Sequence, residues 1–239
     1  MVSLISDLGI KRSINEDFAC FLETKDFNIY IVADGMGGHN AGEVASKAAA
    51  EGIVEYIKEN IGNQSQNDLL TKAIEKVNKN IYDMSKANKN YSGMGTTITA
   101  CFQIGSNITI ANVGDSSCFG FKNMNLCKLT KDHSLVQELV DLGTISEQEA
   151  VNHPKKNIIT RAVGTSEDIK VDIFTKKIDE YDLFLICSDG LTNEVSKDDI
   201  ASTINESDDL ECACKKLVEQ AKENGGNDNI TVLLFGGEI

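Results

Sequence analysis

The chain has 239 residues, 41% hydrophobic and 25% charged, which fits a folded unit with a sizeable core and excludes a disordered polypeptide. A net charge of −14 sets it against a nucleic-acid backbone or an anionic membrane as partner. No apolar run of about 18 residues offers a membrane span, and the seven cysteines, odd in number and scattered through apolar runs, read as reduced thiols of a cytoplasmic protein.

The opening MVSLISDLGI is strand-like and lacks the basic n-region of an export signal. Alternating or short apolar runs predict further strands at Asp17 to Thr24, Phe27 to Ala33, Thr96 to Ile104, Ile108 to Val113, Ser117 to Phe121, Val171 to Ile178, Asp182 to Cys187 and Ile230 to Phe235. Two consecutive helices interrupt them. Ala45, Ala48, Ala49, Gly52, Ile53, Tyr56 and Ile57 share one face of a 3.6-residue repeat, and Leu70, Ala73, Ile74, Val77, Ile81 and Met84 share another. Ser134 with Gln137, and Ser146 with Glu149, have capping-box spacing and announce two short helices. A last amphipathic helix carries Leu210, Ala213, Cys214, Leu217, Val218 and Ala221. No linker, repeat or low-complexity block intervenes, so a single domain over 1–239 is expected, and the absence of a heptad repeat suggests a monomer.

The acidic residues fall in a pattern. Asp34 closes IYIVAD, Asp115 follows TIANVG, Asp189 follows LFLICS, and Asp228 precedes ITVLLF. Each is followed by Gly, Asn or Ser, which allow a tight turn and close approach of the backbone. If these strands are neighbours, the four carboxylates converge on one rim and raise one another's pKa, so a cation is the natural way to hold them together. An all-oxygen donor set suits Mg²⁺ or Mn²⁺, and the Cys or His spacing of a zinc site is missing.

In order along the chain stand GIKRSINED, VADGMGGHNAGE, GMGTT, ANVGDS, LTKDHS, NHPKKNIITRAVG, CSDGL and GGNDNITV. Together they resemble the protein phosphatase 2C, or metal-dependent protein phosphatase, family in its compact bacterial form. The resemblance implies an α+β fold of four layers, α-β-β-α, in which two central antiparallel sheets are flanked by helices. It implies hydrolysis of phosphoserine and phosphothreonine in proteins by a hydroxide bridging two Mn²⁺ or Mg²⁺ ions. Carried over by position, Asp34 bridges the two metals, the Gly35 carbonyl binds one, and Asp189 and Asp228 complete the other. Glu16 acts through metal-bound water, Asp17 supports it from behind, and Asp115 with Asp189 holds the third metal of bacterial members. Arg12 binds the substrate phosphate. The family's partners imply phosphorylated proteins, with a serine/threonine kinase among them, or an anti-sigma pathway.

Arg12 carries independent weight, because of 23 basic side chains only Arg12 and Arg161 are arginines, and a planar guanidinium grips two phosphate oxygens where an ammonium cannot. Arg161, His133 and His153 read as structural. Met36 stands where eukaryotic relatives have a candidate acidic histidine, which leaves the proton donor open between His39 and metal-bound water, with a plain loop role for His39 as the alternative. Ser117 replaces the arginine that commonly follows Gly-Asp-Ser. The segment 134–164 matches the family's flap, and the apolar spacing of Leu135, Val136, Leu139, Val140 and Leu142 predicts one helical face packed on the body. Two other classes remain: an inactive phosphoprotein-binding regulatory module of the same fold, disfavoured by the intact acidic set, and a metal-dependent nuclease, disfavoured by the negative charge. A cysteine-based phosphatase would need an arginine-closed phosphate loop after its thiolate, and none of the cysteines has one.

Overall fold

The computed structural model describes residues 1–37, 41–62 and 64–236. The elements, in chain order, are β1 (Val2–Asp7), β2 (Asp17–Glu23), β3 (Asn28–Met36), α1 (Ala41–Asn60), α2 (Gln66–Ala87), β4 (Gly95–Thr96), β5 (Ile98–Ile104), β6 (Asn107–Val113), β7 (Ser117–Lys122), β8 (Asn125–Lys128), α3 (Leu135–Asp141), α4 (Glu147–Val151), β9 (Asp172–Lys177), β10 (Leu183–Cys187), α5 (Asp189–Thr192), α6 (Lys197–Asn205), α7 (Leu210–Glu223) and β11 (Ile230–Gly236). They form two sheets, one ordered β1-β11-β10-β7-β8 and the other β2-β3-β5-β6-β9 with β4 beside β3. Every strand pair is antiparallel.

Strand alternation sorts the side chains into three cores. On β3, Ile29, Ile31 and Ala33 meet the apolar faces of α1 and α2, while Tyr30 and Val32 point between the sheets. On β10, Leu183, Leu185 and Cys187 meet α6 and α7, while Phe184 and Ile186 point between the sheets. Three cores separate four layers, so the expected α-β-β-α sandwich is the observed one. Among the described residues no helix is long and apolar enough to cross a membrane.

The inter-sheet layer changes character along its length. At one end Tyr30 stacks on Phe235 with centroids 3.8 Å apart, and Phe235 on Phe184 at 5.3 Å. Following the same alternation, the strands bring Asp17, Asp34, Thr97, Thr99, Asn112, Ser116, Ser188 and Thr231 to the opposite end. Buried polar groups there must find partners. Thr99 Oγ1 donates to Asn112 Oδ1 (2.7 Å) and the Ser116 carbonyl (3.0 Å), and Asn112 Nδ2 donates to the Gly114 and Lys131 carbonyls.

Four local readings differ from expectation. Asp34 does not end its strand, because Gly35 and Met36 continue it by pairing with Thr96 and Gly95. Strand β8 was not foreseen; it closes a hairpin with β7 through Asn123 and Met124, at φ +52° and +60°, the backbone of a type I′ turn on residues that do not advertise it. Helix α6 was also missed, although Ser196 caps it by accepting from the Asp199 amide. Helix α3 has no fully buried residue: Leu135, Val136, Leu139 and Val140 are half-buried, and Leu142, at 79% exposure, faces solvent. Its Ser134 accepts from the Gln137 amide, but the Gln137 side chain turns to Asp141, so of the two expected pairs Ser146 with Glu149 of α4 is the one that forms a complete capping box.

Candidate metal centre

Sequence-distant acids meet at the polar end of the sandwich. Asp17 and Asp34 are register partners on β2 and β3, and their side chains share the inter-sheet face. Asp17 Oδ2 accepts from Ser188 Oγ and Thr231 Oγ1, both at 2.7 Å and both from the other sheet. Asp34 is locked by its backbone. Its N–H donates to Thr97 Oγ1 (2.8 Å), and its carbonyl accepts from the Thr97 amide (2.8 Å) and the Thr96 hydroxyl (2.9 Å). Thr97 Oγ1 also shares a hydrogen bond with Ser116 Oγ (2.8 Å), which ties Asp34 to the turn carrying Asp115. Gly114 in that turn has φ +109°, and a side chain there would strike Thr97. Asp189 opens α5 directly after β10, with Oδ2 accepting from Asn193 Nδ2 (2.9 Å). Asp228 precedes β11.

Glu16 lies just before β2. The Gly35 amide donates to its carbonyl (3.1 Å), as does Ser46 Oγ of α1 (2.6 Å). A side chain at Gly35 would collide with the carbonyls of Gly42 and Glu16, so only glycine permits this approach. Arg12 Nη2 donates to Asp228 Oδ2 at 2.7 Å, and the guanidinium makes no other hydrogen bond among the described residues. Its side chain is 46% exposed and that of Asp228 is 32% exposed. Two residues expected to hold different ligands are thus partners of each other, since an exposed guanidinium beside a carboxylate forms a charge-assisted bond. His39 lies outside the described residues.

Burial and crowding push these carboxyls upward. Asp17 and Asp189 are raised to about 6 and Asp115 to about 8, in each case chiefly by desolvation; acidic neighbours add to it, with Asp189 first among those of Asp115. Asp34 lies well above the carboxylate range for the same reason, with Asp17, Asp189, Asp115 and Asp228 all contributing. Burial also raises Glu16. Three buried oxygens, Glu16 Oε1, Asp17 Oδ1 and Asp189 Oδ1, have no hydrogen-bond partner among the described residues. Orphaned oxygens on clustered acids are costly unless a cation meets them, so the donor set fits a hard divalent ion. Among the described residues no three acidic, His or Cys side chains close on one point as a ready cage.

Behind the rim, His133 is a fastener. The Gly114 amide donates to Nδ1 (3.0 Å), so the network assigns the proton to Nε2, which faces Asp172 Oδ2 at 3.2 Å. Arg161 Nη1 binds Asp172 Oδ1 (2.8 Å) against the same ring, and burial lowers the His133 pKa. Ser117 and Lys128 converge on Asp132, beside Asp115. His153 Nδ1 accepts from the Lys155 amide.

The family model described as Protein phosphatase 2C matches residues 10–230. The chain belongs to the protein phosphatase 2C family. It is 42% identical over 238 residues to a serine/threonine phosphatase stp of Listeria monocytogenes, covering 98% of this chain and 94% of that one. The crystal structure of serine/threonine phosphatase Stp1 from Staphylococcus aureus superposes with a TM-score of 0.89 at 32% identity, covering 98% and 93% of the two chains. The catalytic domain of the serine threonine protein phosphatase PstP, solved in complex with two manganese ions, gives 0.84 at 30% identity, covering 98% and 96%. This protein phosphatase 2C chain is accordingly a phosphatase enzyme. The motif residues that had no role from sequence, Thr96, Thr97, Ser188, Asn229 and Thr231, orient its acids together with Asn193, two positions beyond CSDGL. Ser188 and Asn229 signalled themselves as sequence neighbours of Asp189 and Asp228, and Thr97 and Thr231 by the strand parity that puts them on the acids' face.

Proposed function

We propose that the chain hydrolyses phosphate monoesters on serine and threonine side chains of proteins, using two Mn²⁺ or Mg²⁺ ions. Asp34, the Gly35 carbonyl, Asp189 and Asp228 are assigned to hold them, with Glu16 contributing through water and Asp115 with Asp189 holding a third. The observation that carries this reading is the set of buried oxygens, unpartnered among the described residues, on acids whose pKa values burial first and crowding second have raised. When bound, the ions supply a nucleophile from water near neutral pH and offset charge on the transferring phosphoryl group.

The chain's own residues supply position and charge. Asp17, with one oxygen committed to Ser188 and Thr231, fixes the second sheet against the first, and Asp34 of one sheet and Asp189 of the other lie close enough to influence each other's titration. Arg12, half exposed at the edge of that rim, can leave Asp228 and present both guanidinium edges to phosphate oxygens. With a net charge of −14 the protein would repel a phosphorylated substrate at long range, so Arg12 and the bound cations must reverse the local sign. Met36 has no proton to give the leaving alcohol. We assign the flap, 134–164, whose two helices have no fully buried residue, to substrate choice. Phosphoproteins, a serine/threonine kinase among them, are the proposed partners, and the cysteine usage favours a cytoplasmic setting for a monomeric enzyme.

The test is hydrolysis of para-nitrophenyl phosphate and of a phosphothreonine peptide, with and without Mn²⁺, beside a nucleic-acid cleavage control. Cation-dependent turnover of both phosphates with intact nucleic acid is expected. Turnover that survives exhaustive chelation would remove the metal assignment.

A further inference from the structure

Arg12 sits in a loop, residues 8–16, whose apolar side chains do not anchor it: Leu8, Ile10 and Ile14 are 39%, 56% and 38% exposed. Packing therefore does not fix the guanidinium, and hydrogen bonds must. Gly226 supplies one point, its carbonyl accepting from the Ile10 and Lys11 amides at 2.8 and 3.2 Å. A single side chain supplies three more. Asn229 Nδ2 donates to the Leu8 carbonyl (2.9 Å) and the Ile14 carbonyl (3.0 Å), and Asn229 Oδ1 accepts from the Glu16 amide (2.8 Å). Leu8 and Ile14 flank Arg12 on either side.

The same residue also touches the acids. The Asn229 amide donates to Asp228 Oδ1 (2.8 Å), and Asp228 Oδ2 receives Arg12. Its carbonyl lies against Gly190, the neighbour of Asp189, so closely that no side chain fits there. Asn229 itself is 4% exposed, and it spends both amide hydrogens and its oxygen on this one loop.

We infer that Asn229 is the positioning residue of the phosphate grip, setting where Arg12 stands relative to Asp228 and Glu16. This rests on the reading of Arg12 as the phosphate ligand. Aspartate cannot replace it, because a carboxylate would face the Leu8 and Ile14 carbonyls with no hydrogen to donate; alanine removes all three bonds. A misplacement of about 1 Å at a reacting group can cost on the order of a hundredfold in rate, whereas a merely structural asparagine would lower stability and leave the kinetic constants of the folded enzyme alone.

The experiment is a double-mutant cycle on the manganese-loaded enzyme, with para-nitrophenyl phosphate as substrate and inorganic phosphate as competitive probe. Asn229→Ala is expected to raise KM about tenfold and weaken inhibition by phosphate to match. In the Arg12→Ala background the same change should add less than about twofold, because the side chain it positions is gone. Independent, multiplying effects, or a loss confined to kcat, would overturn the inference while leaving Arg12 in place. An Arg12→Ala variant with unchanged KM removes the reading of Arg12 and this inference with it. Should Asn229→Ala fail to fold, amide exchange on the wild-type protein decides: protection of the Glu16 amide far beyond that of exposed loop amides is expected, and exchange at their rate would overturn the role.

Discussion

The two ends of the inter-sheet layer are built on opposite terms. At the aromatic end Tyr30, Phe184 and Phe235 are buried and stacked, and the Tyr30 hydroxyl is satisfied by Glu23 Oε1 at 2.7 Å. At the carboxylate end, Ser6 and Thr231 lie 225 positions apart in the chain and nonetheless share a hydrogen bond, and the network they start leaves Asp17 Oδ1 unpartnered among the described residues. One end lowers the free energy of the fold, and the other raises it by crowding acids that water would otherwise solvate. A sandwich can carry such a cluster because strand parity places both ends in the same layer, where the stability gained at one offsets the strain held at the other.

Four expectations would break or sharpen that contrast. The largest concerns the acids: Asp34→Asn and Asp189→Asn should each lower kcat/KM on para-nitrophenyl phosphate by about a thousandfold or more. Thermal melting of these variants without cation should show no loss of stability, since a neutral amide relieves the crowding. Loss of fold together with activity would mean that the acids are structural. Next, Phe235→Ala should destabilise the protein by about 3–5 kcal/mol in denaturant titrations while the folded fraction keeps its turnover. A fully active and unshifted variant would show that the aromatic end holds little.

The third expectation is a pH effect on chelated protein. Asp17 and Asp189 at about 6 and Asp115 at about 8 lie above the ordinary aspartate value of about 3.9. The folded state thus binds protons more tightly than the unfolded one. That contribution is complete below about pH 4 and is lost as pH rises through about 6 and then about 8. Melting temperature should therefore rise as pH is lowered from 8 to 6, and added Mn²⁺ should flatten the slope by taking the protons' place, with proton release visible in calorimetry. A melting temperature independent of pH in this window, with and without cation, would contradict the crowding. The smallest effect belongs to the flap: replacing residues 142–152, exposed apart from Ile145 and Ala150, should shift preference among phosphopeptides several-fold and leave para-nitrophenyl phosphate turnover within about twofold. Equal changes on both substrates would place the flap in the chemistry.

Much of this was legible in the chain because parity is local. Once IYIVAD is a strand with Tyr30 and Val32 on one face, Asp34 follows them to that face, and the same counting brings Ser188 after Phe184 and Ile186. Family motifs then located the acids. Less legible was anything decided by two distant segments meeting. The pairing of Arg12 with Asp228 spans 216 positions, and neither residue's neighbours announce it. Asn229 read only as one letter of GGNDNITV, since its three bonds go to backbone groups that carry no side-chain identity. The hairpin at Asn123 and Met124 escaped because methionine rarely adopts a left-handed backbone, and the exposure of α3 escaped because periodicity shows which residues share a face but not whether anything covers it.

Asp17 stands on β2, and the two hydroxyls that hold it come from the ends of β10 and β11 in the opposite sheet. The sandwich therefore works as a calliper. Asp34 is mounted on one jaw, Asp189 and Asp228 on the other, and this three-residue clasp gauges the opening between them. A substitution anywhere in the intervening layer that let one jaw slip by a fraction of an ångström would be felt first as a change in the distance between the acids, in a protein that still melts normally.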